Sequence, residues 1–275
     1  MIVNDKIGII LSGGGVRGVA HLGILQFIKE MGIEPDAVSG ASAGALVGAF
    51  IAEGYAPKEI LRFAQEERFF SYSDISAKNG GLFSTLIFEK IIQKYIPHDS
   101  FEKLNIPLYV SVTDFTNAQP LIFDKGSLSF AVKASCCFPL VFQPVLYEDN
   151  TYLCDGGLLN NFPADQIRAT CNKTIGINVN PLNRHDGKLG YKDIVGRIIR
   201  MTTSKVAVDS KVECDLFIQP EDLIRYNTFD MKKMDEIYLL GYEYAKNCEK
   251  ELLKLKEMQR ISEDGDLNEG NQEPK

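Results

Sequence analysis

The strongest constraint on the fold is a pattern that occurs twice in the first part of the chain: an apolar strand, a glycine-rich turn, then an apolar helix. Ile7–Leu11 is a short β-branched run ending in the loop LSGGGVRG, and Val16–Met31 follows with apolar residues at Val19, Leu22, Leu25 and Ile28, the spacing of a helix. The second copy runs from Asp36–Ser39 through GASAG into Ala43–Glu53. Strand, helix and neighbouring strand in succession imply right-handed crossovers and a parallel sheet. The expected fold class is therefore α/β, a three-layer α/β/α sandwich with a mainly parallel central sheet. Both glycine turns then fall at the carboxyl edge of the strands, where such sheets bind ligands.

Further strands are expected at Leu108–Thr113, Leu121–Phe123, Val141–Leu146, Tyr152–Cys154, Thr174–Val179 and Leu216–Gln219. Helices are expected at Lys58–Arg68, Ser84–Tyr95, Leu128–Cys136 and Met231–Met258, the last with apolar positions from Met234 to Leu255 at helical spacing. No Pro/Gly/Ser linker divides the chain, so residues 1–260 read as one domain. Residues 261–275 read as an acidic, disordered C-terminal tail.

Composition removes several function classes. The 275 residues carry a net charge of −7, of which the tail, with five acids against Lys275, supplies four. The remaining body is close to neutral and offers no basic footprint for nucleic acid, so membrane contact would be apolar and local. The six cysteines form no CxxC pair and His21, His98 and His185 are dispersed, so no metal is expected and the thiols read as buried and reduced. The N-terminus MIVNDKIGII lacks a signal-peptide pattern, and the apolar run Ala45–Ala52 falls short of the ~20 residues of a membrane span. A cytoplasmic location, peripheral to membrane at most, is the expectation.

On its own residues the first loop fits three purposes. Gly13-x-Gly15-x-x-Gly18 has dinucleotide-loop spacing, unhindered backbone N–H groups suit an oxyanion, and a tight turn needs neither. A dinucleotide site asks for an acid at the end of the second strand, whereas this chain places Gly40-Ala41-Ser42-Ala43-Gly44 there and its nearby acid, Asp36, at the strand's start. G-x-S-x-G between strand and helix is the nucleophile-elbow pattern, whose small neighbours permit a sharp turn and set the hydroxyl at a helix N-terminus. Ser42 is the candidate nucleophile, with a plain N-cap serine as the alternative. Gly13, Gly14 and Gly15 become candidate oxyanion donors, and Arg17 either fixes their loop or faces solvent.

A base for Ser42 is found by elimination. In the order Ser, Asp, His only His185 fits, but the α/β-hydrolase fold builds several strands before its elbow and this chain has one before the glycine loop. His21 reads as a packed helix residue and His98 as a loop residue. The stretch CDGGLLNNFP, residues 154–163, remains: Asp155 ends a strand amid Gly156, Gly157, Asn160 and Asn161. Asp-Gly is a common turn, yet this density of polar groups in apolar surroundings suits a carboxylate acting directly as general base.

GGGVRG, GASAG and DGG occur in the order found in the patatin-like phospholipases, and KASCCFPLVFQPV is similar to the stretch ahead of that family's aspartate. From about Lys6 to Tyr242 the chain resembles the bacterial type of this family. The resemblance implies a patatin-like fold, Ser42 as nucleophile, Asp155 as proton acceptor, and Gly13–Gly15 as oxyanion hole supported by Arg17. Gly18, Gly40, Gly44, Gly156 and Gly157 then shape the turns. It implies a calcium-independent serine lipid acyl hydrolase, of phospholipase A or lysophospholipase type, that needs no cofactor or metal and acts on a lipid or fatty-acyl ester with transient membrane-surface contact. A transacylase would use the same serine, and a non-catalytic lipid binder would leave it idle. Residues 80–96 suggest an amphipathic helix after a Gly-Gly hinge, either packed on the sheet or serving as a lid or acyl-chain wall.

Overall fold

The computed structural model describes residues 6–67, 85–139, 141–182, 190, 194, 197–198, 200–204, 214–227 and 231–257. Eight strands form one sheet: β1 (Ile7–Leu11), β2 (Ala37–Ala41), β3 (Leu108–Asp114), β4 (Gln119–Phe123), β5 (Val145–Leu146), β6 (Tyr152–Asp155), β7 (Lys173–Ile177) and β8 (Leu216–Ile218). Their order is β5-β6-β3-β2-β1-β7-β8, with β4 also paired to β3. The pairs among β3, β2, β1, β7 and β8 are parallel, and β4, β5 and β6 join antiparallel.

Helices cover both faces. Successive side chains of a strand point to opposite faces, so the continuous apolar run of β1 serves two cores. Ile9 and Leu11 join the large core beneath α1 (Val19–Glu30) and α2 (Ala43–Glu53), while Ile10 joins Phe162 and Ile167 beneath α6 (Asp165–Thr170). The large core also takes in α3 (Pro57–Glu66), α4 (Leu86–Tyr95), α5 (Leu128–Ser135) and α7 (Met234–Asn247). This is the expected α/β sandwich.

Four differences from the sequence reading have local causes. The strand expected over Val141–Leu146 shrinks to β5, because Pro139 and Pro144 supply no N–H and the N–H groups of Val141 and Phe142 turn back to Phe138 O. β7 stops at Ile177 because its ladder runs out just beyond: Asn178 N–H still reaches Ile218 O at 2.9 Å, but Val179 N–H turns to Ser12 Oγ at 2.9 Å and Asn180 N–H to Asn178 Oδ1 at 3.1 Å. The last helix opens with a 3-10 turn at Met231–Lys233 and breaks at Cys248 before a helical segment over 249–257. Finally, the short α6 carries no periodicity long enough to detect. Arg68, the Gly80–Gly81 hinge with Leu82, Phe83 and Ser84, His185, Met258 and the tail 261–275 lie outside the described residues.

The division of β3 positions the site. β4 takes one of its edges along Val110–Asp114, so β2 and β6 must share the other. β2 pairs in parallel up to Ala41↔Ser111, and β6 begins immediately beyond with Val112↔Asp155. The residue after β2 and the last residue of β6 are thereby brought to one point on the carboxyl edge.

Candidate active site

Ser42 occupies the turn between β2 and α2 with φ 50° and ψ −122°, a conformation costly for a residue with a side chain. Crowding holds it there. A Cβ at Gly40 would lie 2.5 Å from the Gly44 carbonyl carbon, and one at Gly44 would meet Leu11 O and, at 2.7 Å, Ser12 O. Only glycines let the first turn of α2 sit this close to β1 and β2. The Ser42 N–H donates to Ser135 Oγ at 2.8 Å, and Ser135 Oγ in turn donates to Ser111 O at 2.7 Å.

Asp155 is buried and lies close enough to Ser42 for the serine side chain to lower the pKa of its carboxyl. Its Oδ1 accepts the Gly157 N–H at 2.7 Å, and its carbonyl accepts the Thr113 hydroxyl at 2.9 Å. Burial pushes the carboxyl up from 3.8 to about 7, with the Gly157 N–H and the nearby Ser42 side chain pulling the other way. A serine beside a carboxylate poised near neutrality is an arrangement that can serve as nucleophile and base without a histidine.

The glycine loop is tied to the same point. Gly13 N–H donates to Asn161 O at 3.3 Å, whereas among the described residues no acceptor takes the N–H of Gly14 or Gly15. Gly15 has φ 59°, as a reversal into the following turn requires. Arg17 is buried rather than solvent-facing: it donates from Nη2 to Asn180 Oδ1 at 2.7 Å, and Asn180 Nδ2 donates to Gly13 O. Burial first, then the charge of Arg200, lowers its pKa to about 10, so it remains a cation at neutral pH.

These groups floor a cavity of about 650 Å³ whose remaining walls are mainly apolar, among them Leu22, Leu46, Ile60, Phe88 and Met234. Phe88 comes from α4, so the described part of the 80–96 stretch is a packed wall with Leu86 exposed. No group of three His, Cys, Asp or Glu side chains that could hold a metal occurs among the described residues, nor is any described helix long and apolar enough to cross a membrane. Asp36 sits at the opposite edge, where its Oδ2 accepts Ile7 N–H at 2.7 Å.

The model of the patatin-like phospholipase family matches residues 9–168, more than half of the chain and all three motifs. The chain belongs to this family. Among curated relatives, human patatin-like phospholipase domain-containing protein 6 is 27% identical over 90% of this chain and 20% of its own length. Neuropathy target esterase sws of Drosophila melanogaster is 29% identical over 95% of the chain and 21% of its own. Lysophospholipase NTE1 of Meyerozyma guilliermondii is 25% identical over 89% and 19%. The chain thus spans about a fifth of the length of these relatives. Among solved structures, VipD from Legionella pneumophila superposes with a TM-score of 0.57 at 15% identity, covering 92% of this chain and 67% of that one, and shares the fold.

In this patatin-like chain several residues that build the site escaped the sequence reading. Ser12, Ser135 and Asn180 anchor the two turns, and Arg200 and Thr203 line the cavity. The polar NVNP stretch directly after a predicted strand was a usable signal for Asn180, since that position falls at the carboxyl edge. Both described histidines are accounted for otherwise. His21 is buried with Nε2 2.8 Å from Ser12 O, its pKa lowered by burial to about 4, and His98 Nε2 lies 2.9 Å from Glu53 Oε2. The thiol of Cys136 lines the cavity too, but burial and then the charge of Asp155 hold it well above the usual thiol range.

Proposed function

We propose that this chain is a serine hydrolase of lipid acyl esters that works through a Ser42–Asp155 dyad. The observation that carries the reading is the placement of Ser42, on a strained strand-to-helix turn, beside a buried carboxylate at the floor of an apolar cavity. Asp155 takes the proton as Ser42 Oγ attacks the ester carbonyl. The oxyanion that forms lies against Gly14 and Gly15, whose N–H groups have no acceptor among the described residues, each such donor being worth ~3 kcal/mol in the transition state. Asp155 returns the proton to the leaving alcohol, and a water activated by the same carboxylate releases the fatty acid from the acyl-serine. Family membership and relatives named as esterase and lysophospholipase support a lipid ester as substrate.

The test is a fluorophosphonate probe and a p-nitrophenyl acyl ester, applied to the wild type, Ser42→Ala and Asp155→Asn. Labelling of the wild type at Ser42, with hydrolysis lost in both variants, is the expected result. Hydrolysis that survives Ser42→Ala in purified protein overturns the reading.

A further inference from the structure

The two residues of the dyad stand at the ends of strands that each pair with β3 and, among the described residues, not with each other. β2 leaves β3 at Ala41↔Ser111 and β6 joins the same edge at Val112↔Asp155, so the sheet ladder alone does not tie one to the other. The end of α5 bridges that junction. Ser135, its last residue, accepts the Ser42 N–H at 2.8 Å and donates to Ser111 O at 2.7 Å. Two residues further on, the Cys137 carbonyl accepts the Asp155 N–H at 3.1 Å. One short segment thus holds the backbone of nucleophile and base alike.

Ser135 is fully buried, and its hydroxyl hydrogen is committed to Ser111 O, which leaves the oxygen's lone pairs to face the Ser42 N–H. The Ser42 carbonyl is held from the other side by the Leu46 N–H at 3.0 Å. With the peptide planes before and after Ser42 both pinned, its φ of 50° and ψ of −122° are set, and with them the direction of the Cα–Cβ bond. Strained backbone of this kind persists only where its surroundings over-determine it. Crowding at Gly40 and Gly44 confines the turn, and the Ser135 bond selects the rotation about N–Cα within that space. The base is seated on the same hub: Ser111 Oγ donates to Asn160 O at 2.8 Å, and a Cβ at Gly156 would meet Ser111 O.

We infer that Ser135 is a positioning residue of the reaction, which ties the Ser42 N–H to Ser111 and so aims the nucleophile at the ester carbonyl while keeping it beside Asp155. The role in turnover rests on the acyl-hydrolase reading; the tie itself is measured without substrate.

The experiment measures kcat and KM for a p-nitrophenyl ester, and the rate of fluorophosphonate labelling, in the wild type, Ser135→Ala, Ser135→Thr and Ser129→Ala. Ser129 is the control: it is a buried serine of the same helix whose hydroxyl donates to Asp99 Oδ2 at 2.8 Å rather than to either dyad residue or its turn. Because a misplacement of about 1 Å can cost on the order of 10²-fold, Ser135→Ala should lower kcat and labelling roughly tenfold to a hundredfold, with KM within about twofold. Ser135→Thr, which keeps the hydroxyl, should recover most of the rate, and Ser129→Ala should keep the wild-type kcat even where it lowers the melting temperature. Unchanged kcat and labelling in folded Ser135→Ala overturns the role. An equal loss in Ser129→Ala overturns it too, since the effect would then come from the stability of α5. In parallel, NMR hydrogen exchange reads the Ser42 amide in the absence of substrate. Protection in the wild type that is lost in Ser135→Ala and kept in Ser129→Ala upholds the tie even where no ester is hydrolysed, a result that would contradict the acyl-hydrolase reading alone. A wild-type Ser42 amide that exchanges as fast as a free one overturns the tie without any variant.

Discussion

The two glycine turns look alike in the sequence and are held by different physics. The GASAG turn is fixed by steric crowding: Gly40 and Gly44 bring backbone against backbone, and the strain falls on Ser42. The GGGVRG loop is fixed by polar contacts, with His21, Asn161 and Asn180 from outside it and Arg17 from within, and among the described residues no acceptor takes the N–H groups of Gly14 and Gly15. A nucleophile needs one rigid position, and close packing supplies it. An oxyanion cradle needs unsatisfied donors held still, and only hydrogen bonds to other atoms of the loop can do that.

The largest expected effects fall on the chemistry. Asp155→Asn should reduce kcat/KM by on the order of 10³-fold or more while keeping the Gly157 hydrogen bond. It should also stabilise the protein. Because the folded-state pKa of Asp155 lies near 7, above the unfolded 3.8, the folded chain holds a proton that the unfolded chain releases, and stability is lost as pH rises through that window. At pH 8 this amounts to roughly 4 kcal/mol, which the neutral amide removes, so its melting temperature should exceed the wild type's at pH 8 and approach it at pH 4. A variant that is inactive and also less stable at pH 8 would mean that the carboxylate is not desolvated.

The two turns should then separate by readout. Gly44→Ala forces a methyl into Leu11 O and Ser12 O and should cost about 3 kcal/mol of stability, seen as a shifted urea midpoint. Asn180→Ala removes the Arg17 acceptor and the donor to Gly13 O, and should lower kcat about tenfold to a hundredfold, with a smaller loss of stability. If both variants acted alike, on fold or on rate, the distinction between a packed turn and an anchored loop would fail. A smaller effect belongs to His21, whose pKa of about 4 lies below the usual 6.5 because of burial. Its contribution is present above pH 6.5 and lost as pH falls through 4, so the wild type should lose more stability between those values than His21→Gln.

What the sequence revealed follows the same division. Ser42 and its glycines were legible because crowding in a strand-to-helix turn is a local demand that only small residues at fixed spacing meet. Asp155 was legible because DGG closes a short strand and no other base suited the serine. The pairing of the two was not legible, since it depends on β6 entering antiparallel on the edge of β3 that β2 leaves free. Nor were the distant residues around the loop: Asn180 reaches Gly13 only because β7 pairs with β1, and Arg200 reaches the cavity on a segment whose Thr203 O accepts from Asn161. The misread strand at Val141–Leu146 has an apolar pattern that satisfies strand and cavity wall equally, and Val141 and Phe142 line the cavity instead.

The central claim, that a buried carboxylate activates Ser42 without a histidine, is tested most directly by the pH dependence of kcat/KM for a p-nitrophenyl ester. On that claim the ionised form of Asp155 is the base, so the rate should fall as pH drops through about 7, along a single ascending limb. Asp155→Asn should show no such limb. A profile flat down to pH 5, or a limb near 7 that persists in Asp155→Asn, would contradict the account.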